Sequence, residues 1–404
     1  MSGLARIGRR RFLWALSAGG AAAVLTACGD TSEPEETPAA VPVADEATKP
    51  QASAWFKDTT PFIVHDDGKS LEARLEIMDG LITPNRYFFV RNNSVSLEVD
   101  PATWQLSIEG DAVSNPRTFT YDDIRALPSR TLVCYLECAG NHRAMFGLVQ
   151  GRQAKGTQWM TGGVSNGEWV GVPMREVLTQ AGITDDAVSV LLIGLDAESP
   201  EQGFRRVLPV AKALHPDTLL AYSLNGEDLP RDHGYPLRAL VPGWVGSSNV
   251  KWLGRIVVSK ERLWTRNNTT SYVLIGDDYA PEGQALGKVA TTQVIKSALA
   301  LHWPATLTAQ RHRIHGYAHS PHGAIRRVEW SLDSGATWHE AAVLEPQVQY
   351  SWARFEFEWD ARPGGYTIMT RATDTAGNTQ PGRIPFNEKG YLFNQPVPHP
   401  VSVT

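Results

Sequence analysis

The sequence predicts a mixed α+β domain followed by a β-sandwich. Three observations lead there. Residues 55–285 mix short strand-like runs with a few helix candidates. After about Val289 the chain turns to alternating strands punctuated by Asp-Ser-Gly and Ala-Gly-Asn turns. No run carries a dinucleotide fingerprint or a phosphate-binding glycine loop.

The elements follow in order. Arg9, Arg10 and Arg11 precede an apolar run reaching Ala27. This is the pattern of an export signal, too short for a membrane span, and its paired arginines point to the twin-arginine route for folded proteins. Leu25-Thr26-Ala27-Cys28 matches a lipoprotein cleavage box, which would lipidate Cys28; ordinary cleavage near Ala27 is the alternative. Residues 1–28 are therefore expected as signal. Residues 29–54 are acidic and proline-containing, as in a disordered tether holding the body near a membrane outside the cytoplasm.

Within the body, Trp104 to Gly110 alternates in part and stops at glycine, as a strand does. Tyr121 to Leu127 is a short amphipathic helix halted by Pro128, and Met174 to Leu178 is a second. In the tail, residues 286–404, Arg326 to Leu332 and Tyr366 to Thr373 read as strands. Ala353 to Trp359 alternates strictly. That pattern buries Phe355, Phe357 and Trp359 and turns Arg354, Glu356 and Glu358 outward.

Net charge is −5, without a basic stripe, which argues against a nucleic-acid partner. Only Cys134 and Cys138 remain in the body, too few for a disulfide framework or a structural zinc site. Cys138 opens the turn Cys138-Ala139-Gly140-Asn141-His142-Arg143 behind an apolar stretch. A thiolate there could ligate a soft or high-valent metal, with Arg143 and backbone N–H groups holding an anion. Cys134 is expected in the core.

Further segments combine cations, glycines and tryptophans: Tyr87 to Asn93, Lys155 to Trp159, Thr161 to Trp169, and the long block from Asn225 to Trp252. With the cysteine turn, their order resembles the sulfite oxidase family of molybdenum enzymes over most of residues 60–404. The stretch from Val250 to Arg266 is most similar to bacterial sulfite dehydrogenases and the sulfane dehydrogenase molybdenum subunit.

The resemblance implies a sulfite oxidase-type α+β domain and an immunoglobulin-like dimerisation domain, hence a homodimer. It implies one molybdenum–molybdopterin per chain, with Cys138 as the protein's metal ligand; sequence does not separate molybdenum from tungsten. His233, Arg238 and Lys251 match pterin-binding positions, and Asn93 stands where the family usually has histidine. Arg91, Arg143 and Lys155 match cations around the oxyanion, beside Trp159. Tyr272 is the best match to the active-site tyrosine, with Tyr279 as the alternative. Lys389 replaces a substrate-site arginine, which keeps charge but loses the bidentate fork.

The implied reaction is oxidation of sulfite to sulfate. The chain has no Cys-x-x-Cys-His haem attachment, so the expected electron acceptor is a partner, a c-type cytochrome. Sulfane-sulfur oxidation and S- or N-oxide reduction are the related alternatives. A lipid-anchored binding module is the non-enzymatic rival, and it gives no account of the cysteine turn.

Overall fold

The computed structural model describes residues 51–53 and 55–404. The arginine-led segment, the Cys28 box and nearly all of the tether lie outside the described residues. Strands dominate. The four α-helices among the described residues are short, none exceeding seven residues. The expected α+β character therefore tilts strongly toward β.

The first half carries two five-stranded sheets. In one, the Gln105–Glu109 strand pairs parallel with Leu253–Ser259 and antiparallel with Arg117–Thr120. Leu106 and Ile108 fill the core, and Gly110 ends the strand at φ +126°. A Cβ at Gly110 would lie 2.0 Å from the Val258 carbonyl oxygen, so only glycine fits. The Tyr121–Ala126 helix forms as expected. Thr120 and Asp123 build a reciprocal capping box at its start, and it stops before Pro128. The second expected helix spans Met174–Gln180.

The other sheet positions the cysteine. Arg130–Glu137 runs antiparallel to Val164–Pro173, in register from Arg130↔Gly171 to Glu137↔Val164. It starts exposed and ends fully buried, so it delivers Cys138 to the interior. A three-stranded sheet of Phe62–Val64, Ser70–Ala73 and Val90–Arg91 brings Arg91 alongside.

The tail folds into eight hydrogen-bonded strands running from Lys296–Leu299 to His399–Val403. Ala353–Asp360 alternates as predicted, with Phe355, Phe357 and Trp359 buried. Trp330 stacks on Phe357 at 4.3 Å between centroids. Each such side chain contributes roughly 2–3 kcal/mol by burial. Core residues cross between the halves: Ala298, Tyr317 and Trp352 pack in one cluster with Leu136, Cys138 and Trp159.

Candidate active site

Cys138 is the first residue beyond its strand, and the turn behind it is fixed by its own polar groups. The Cys138 N–H donates to the Gly163 carbonyl at 2.8 Å, and the Asn141 N–H donates back to the Cys138 carbonyl at 2.9 Å. The Asn141 side chain donates to Glu137 and accepts from the Gly163 N–H, each at 2.9 Å. The loop at Gly246 presses on this turn. A Cβ there would stand 2.7 Å from the Glu137 carbonyl oxygen. Cys134, by contrast, is sealed in the core, where burial pushes its thiol up to about 12.

Cys138 borders a cavity with about 730 Å³ of empty space, part of it open to solvent. Arg91, Asn93, His233, Arg238, Lys251 and Tyr272 border it too. The sequence thus named seven of its lining residues from segments far apart in the chain.

The cavity's cations are poorly neutralised. Arg238 is buried and donates only to carbonyls: His233 and Asn249 at 3.0 Å each, and Ala239 at 3.4 Å. Burial pulls its guanidinium down to about 9. Lys251 donates to the Asp232 carbonyl at 2.7 Å and to the Asn92 side chain. Burial and then Arg238 pull it well below the usual lysine range, against Asp232 and Asp196. His233 is lowered by burial, then by Lys57, Lys251 and Arg238. Arg91 leaves Nη1 buried without a partner. Burial alone would lower Arg91, but Tyr272, Cys138, Asp67 and Tyr391 together raise it. A pocket holding so much desolvated positive charge favours an anion.

Tyr272 reaches the cavity and Tyr279 does not. The Tyr272 hydroxyl accepts from Asn93 Nδ2 at 3.2 Å, and its ring stacks on Tyr391 at 5.5 Å. Tyr279 donates to the Pro385 carbonyl at 3.3 Å, away from the cavity lining.

The other candidates are not among the residues that line the cavity. Arg143 is buried; Nε donates to the Lys389 carbonyl at 2.7 Å and Nη1 to the Thr157 carbonyl at 2.6 Å. Among the described residues Nη2 takes no hydrogen-bond partner. Lys389 thereby meets Arg143 through its backbone. Lys155 is exposed and pairs with Glu388 at 3.2 Å. Trp159 is fully buried, against His65 and Phe89, and does not line the cavity.

Sequence reasoning missed four contributors. Lys57 reaches His233 at 2.8 Å. Asp232 anchors the backbone of Phe56 and Lys57. Arg206, wholly buried, stands 5.6 Å from the Tyr272 ring centroid. Glu137 pairs with Lys296 at 2.6 Å, both inaccessible. No local motif marks these pairings; for Glu137 and Arg206 the one available signal was a charged residue beside an apolar run.

Among the described residues no group of three or more His, Cys, Asp or Glu is placed to hold a metal. A metal at Cys138 therefore needs ligands carried in by an organic cofactor, and the unpaired Arg91 nitrogen and cationic walls fit an anionic one. Fold and site together define an oxidoreductase of the molybdopterin-binding class.

Comparison with known proteins agrees. Residues 92–266 match the oxidoreductase molybdopterin binding domain, and residues 288–399 match the Mo-co oxidoreductase dimerisation domain. Sulfite oxidase from Gallus gallus is 33% identical over 340 residues, covering 78% of this chain and 72% of that protein. The mitochondrial sulfite oxidase of Mus musculus is 33% identical over 79% of this chain, which spans 61% of that protein's length. Among solved structures, the sulfane dehydrogenase SoxCD from Paracoccus pantotrophus aligns with a TM-score of 0.72 at 28% identity, covering 89% of this chain and 90% of that one. The chain belongs to the sulfite oxidase family, and its cofactor is the molybdenum cofactor.

Proposed function

We propose that this protein oxidises sulfite to sulfate. Sulfite takes an oxygen from water and gives up two electrons, and the water releases two protons. The observation that carries the reading is the lone Cys138 thiol at one cavity shared with Arg91 and Tyr272. Cys138 would ligate the metal, while His233, Arg238, Lys251 and Asn93 would hold the pterin and its phosphate. Bound there, the cofactor supplies oxygen-atom transfer and accepts the electron pair.

The chain's own groups would do the rest. Arg91 Nη1 and Arg143 Nη2, without partners among the described residues, would hold the dianion. The Tyr272 hydroxyl, fixed by Asn93, would orient substrate or pass a proton. Lys155 and Lys389 would add charge at the rim, and Trp159 would support the wall from the core. Electrons would leave to a c-type cytochrome. The chain would work as a homodimer, exported by the twin-arginine route and tethered through Cys28. Light scattering on cofactor-loaded protein at micromolar concentration tests the dimer; a monomer at every concentration refutes it.

A second reading, oxidation of a carrier-bound sulfane sulfur, is favoured by the full-length likeness to a sulfane dehydrogenase. Asn93 and Lys389 weaken the grip on a free dianion and point the same way. The deciding assay is sulfite-dependent reduction of ferricyanide or cytochrome c, with a Cys138→Ser control. Turnover that the control abolishes supports sulfite oxidation. No turnover by fully loaded protein sinks it and favours the sulfane reading.

A further inference from the structure

We propose that Lys57 sets the tautomer of His233, so that the imidazole offers an Nδ1–H donor to the anionic cofactor in the cavity. Lys57 lies ahead of the matched segment 92–266, on a stretch that resemblance assigns no role. The inference rests on the cofactor-binding reading of the cavity.

The geometry is built from the backbone outward. The Phe56 N–H donates to both Asp232 carboxylate oxygens at 3.2 and 3.1 Å, and the Lys57 N–H to one of them at 3.0 Å. Ser96 donates to the same carboxylate at 2.6 Å. The segment is thereby pinned to the turn that carries His233. Lys57 Nζ then meets three groups: the Asn85 carbonyl at 3.0 Å, the Phe88 carbonyl at 2.9 Å and His233 Nε2 at 2.8 Å.

Two of the three are carbonyls, which only accept. As an ammonium Lys57 has three hydrogens, and the third goes to Nε2. Nε2 then offers its lone pair, and the ring proton sits on Nδ1. Among the described residues Nδ1 takes no hydrogen-bond partner, and the ring borders the cavity. Burial pulls Lys57 down to about 7, and Asp232 pushes against that. A cofactor anion pushes the same way as Asp232 and favours the ammonium. Lys251 and Arg238 act on the ring as further cations and keep it neutral. The reverse arrangement, a neutral amine accepting from Nε2–H, would turn a bare Nδ1 lone pair toward an anion. Lys57 is thus a positioning residue that acts through His233.

The first test is nitrogen-15 NMR on full-length, cofactor-loaded protein labelled at histidine, with His233→Gln to assign the ring. The expected spectrum shows a protonated Nδ1 and an unprotonated, hydrogen-bonded Nε2. A protonated Nε2 overturns the assignment, and this measurement needs no Lys57 variant to fold. The second test follows loss of molybdenum and pterin on dialysis. Lys57→Met should lose cofactor on the order of tenfold faster, the size of one charge-assisted hydrogen bond. In the His233→Gln background the same change should add nothing; additive losses would show independent structural damage and overturn the proposal. Wild-type protein lacking molybdenum and pterin defeats the cofactor reading and this inference together. A loaded protein with the wrong tautomer defeats only the latter.

Discussion

Replacing Lys296 with methionine should separate the two halves of the molecule at the residue next to the cysteine ligand. Lys296 lies in the first strand of the eight-stranded sheet, and its ammonium donates to Glu137 at 2.6 Å and to the Asn141 carbonyl at 3.2 Å. Glu137 immediately precedes Cys138. At 2.6 Å and an effective dielectric of about 20, the attraction is about 6 kcal/mol, most of it offset by the desolvation of two buried charges. Removing the lysine leaves that desolvation in place without the attraction, and such deletions cost about 3–5 kcal/mol. His319, 3.6 Å from Glu137, is pulled down to about 4 by burial, with Glu137 raising it and Lys296 lowering it further. At roughly 2 °C per kcal/mol for a body of this size, Tm should fall by roughly 6–10 °C. Differential scanning fluorimetry on loaded protein reads this, and molybdenum per chain reads the turn. The pair logic makes a second demand: Glu137→Gln with Lys296→Met should be more stable than Lys296→Met alone. A single variant within 1 °C of wild type, or a double variant no better than the single, refutes the reasoning.

Arg143→Lys should lower kcat/KM by roughly 10- to 100-fold, because lysine cannot satisfy the Lys389 and Thr157 carbonyls while presenting a third donor; steady-state kinetics decide it. Gly390→Ala should cost roughly 1–3 kcal/mol and raise KM, since its Cβ would lie 2.5 Å from Arg143 Cγ at φ +59°. Tyr272→Phe keeps the stack on Tyr391 but frees Asn93, so kcat should fall with little change in Tm. Lys57 titrates near 7 folded against 10.5 unfolded, so the unfolded chain binds more protons in that window. Cofactor-free protein should therefore gain stability between about pH 7 and 10, and Lys57→Met should flatten the gain in a Tm-against-pH series.

What could be read in advance was periodic or local. Strict alternation placed Phe355, Phe357 and Trp359 inside, and a proline stop with a cap placed the Tyr121–Ala126 helix. The cysteine turn was visible because its chemistry is contiguous: strand end, thiol, glycine, amide, guanidinium. Lys155 and Trp159 show the limit of that kind of reading. A cation and a tryptophan four residues apart look like one wall, yet the backbone sends the lysine to Glu388 and the tryptophan into the core.

Arg238 and Lys296 make the remaining difficulty concrete. Each is a single cation inside an apolar run, Leu237-Arg238-Ala239-Leu240 and Ile295-Lys296-Ser297-Ala298, and each is buried. In sequence they carry the same signal, that desolvated charge demands a partner. In the fold they answer it differently. Lys296 meets Glu137 across 159 residues and fastens one half to the other. Arg238 meets only carbonyls and borders the cavity, so its counter-charge must arrive with a ligand. Which buried cation is a joint and which is a binding site depends on where the nearest carboxylate lands. That is a property of long-range packing, which local pattern does not encode.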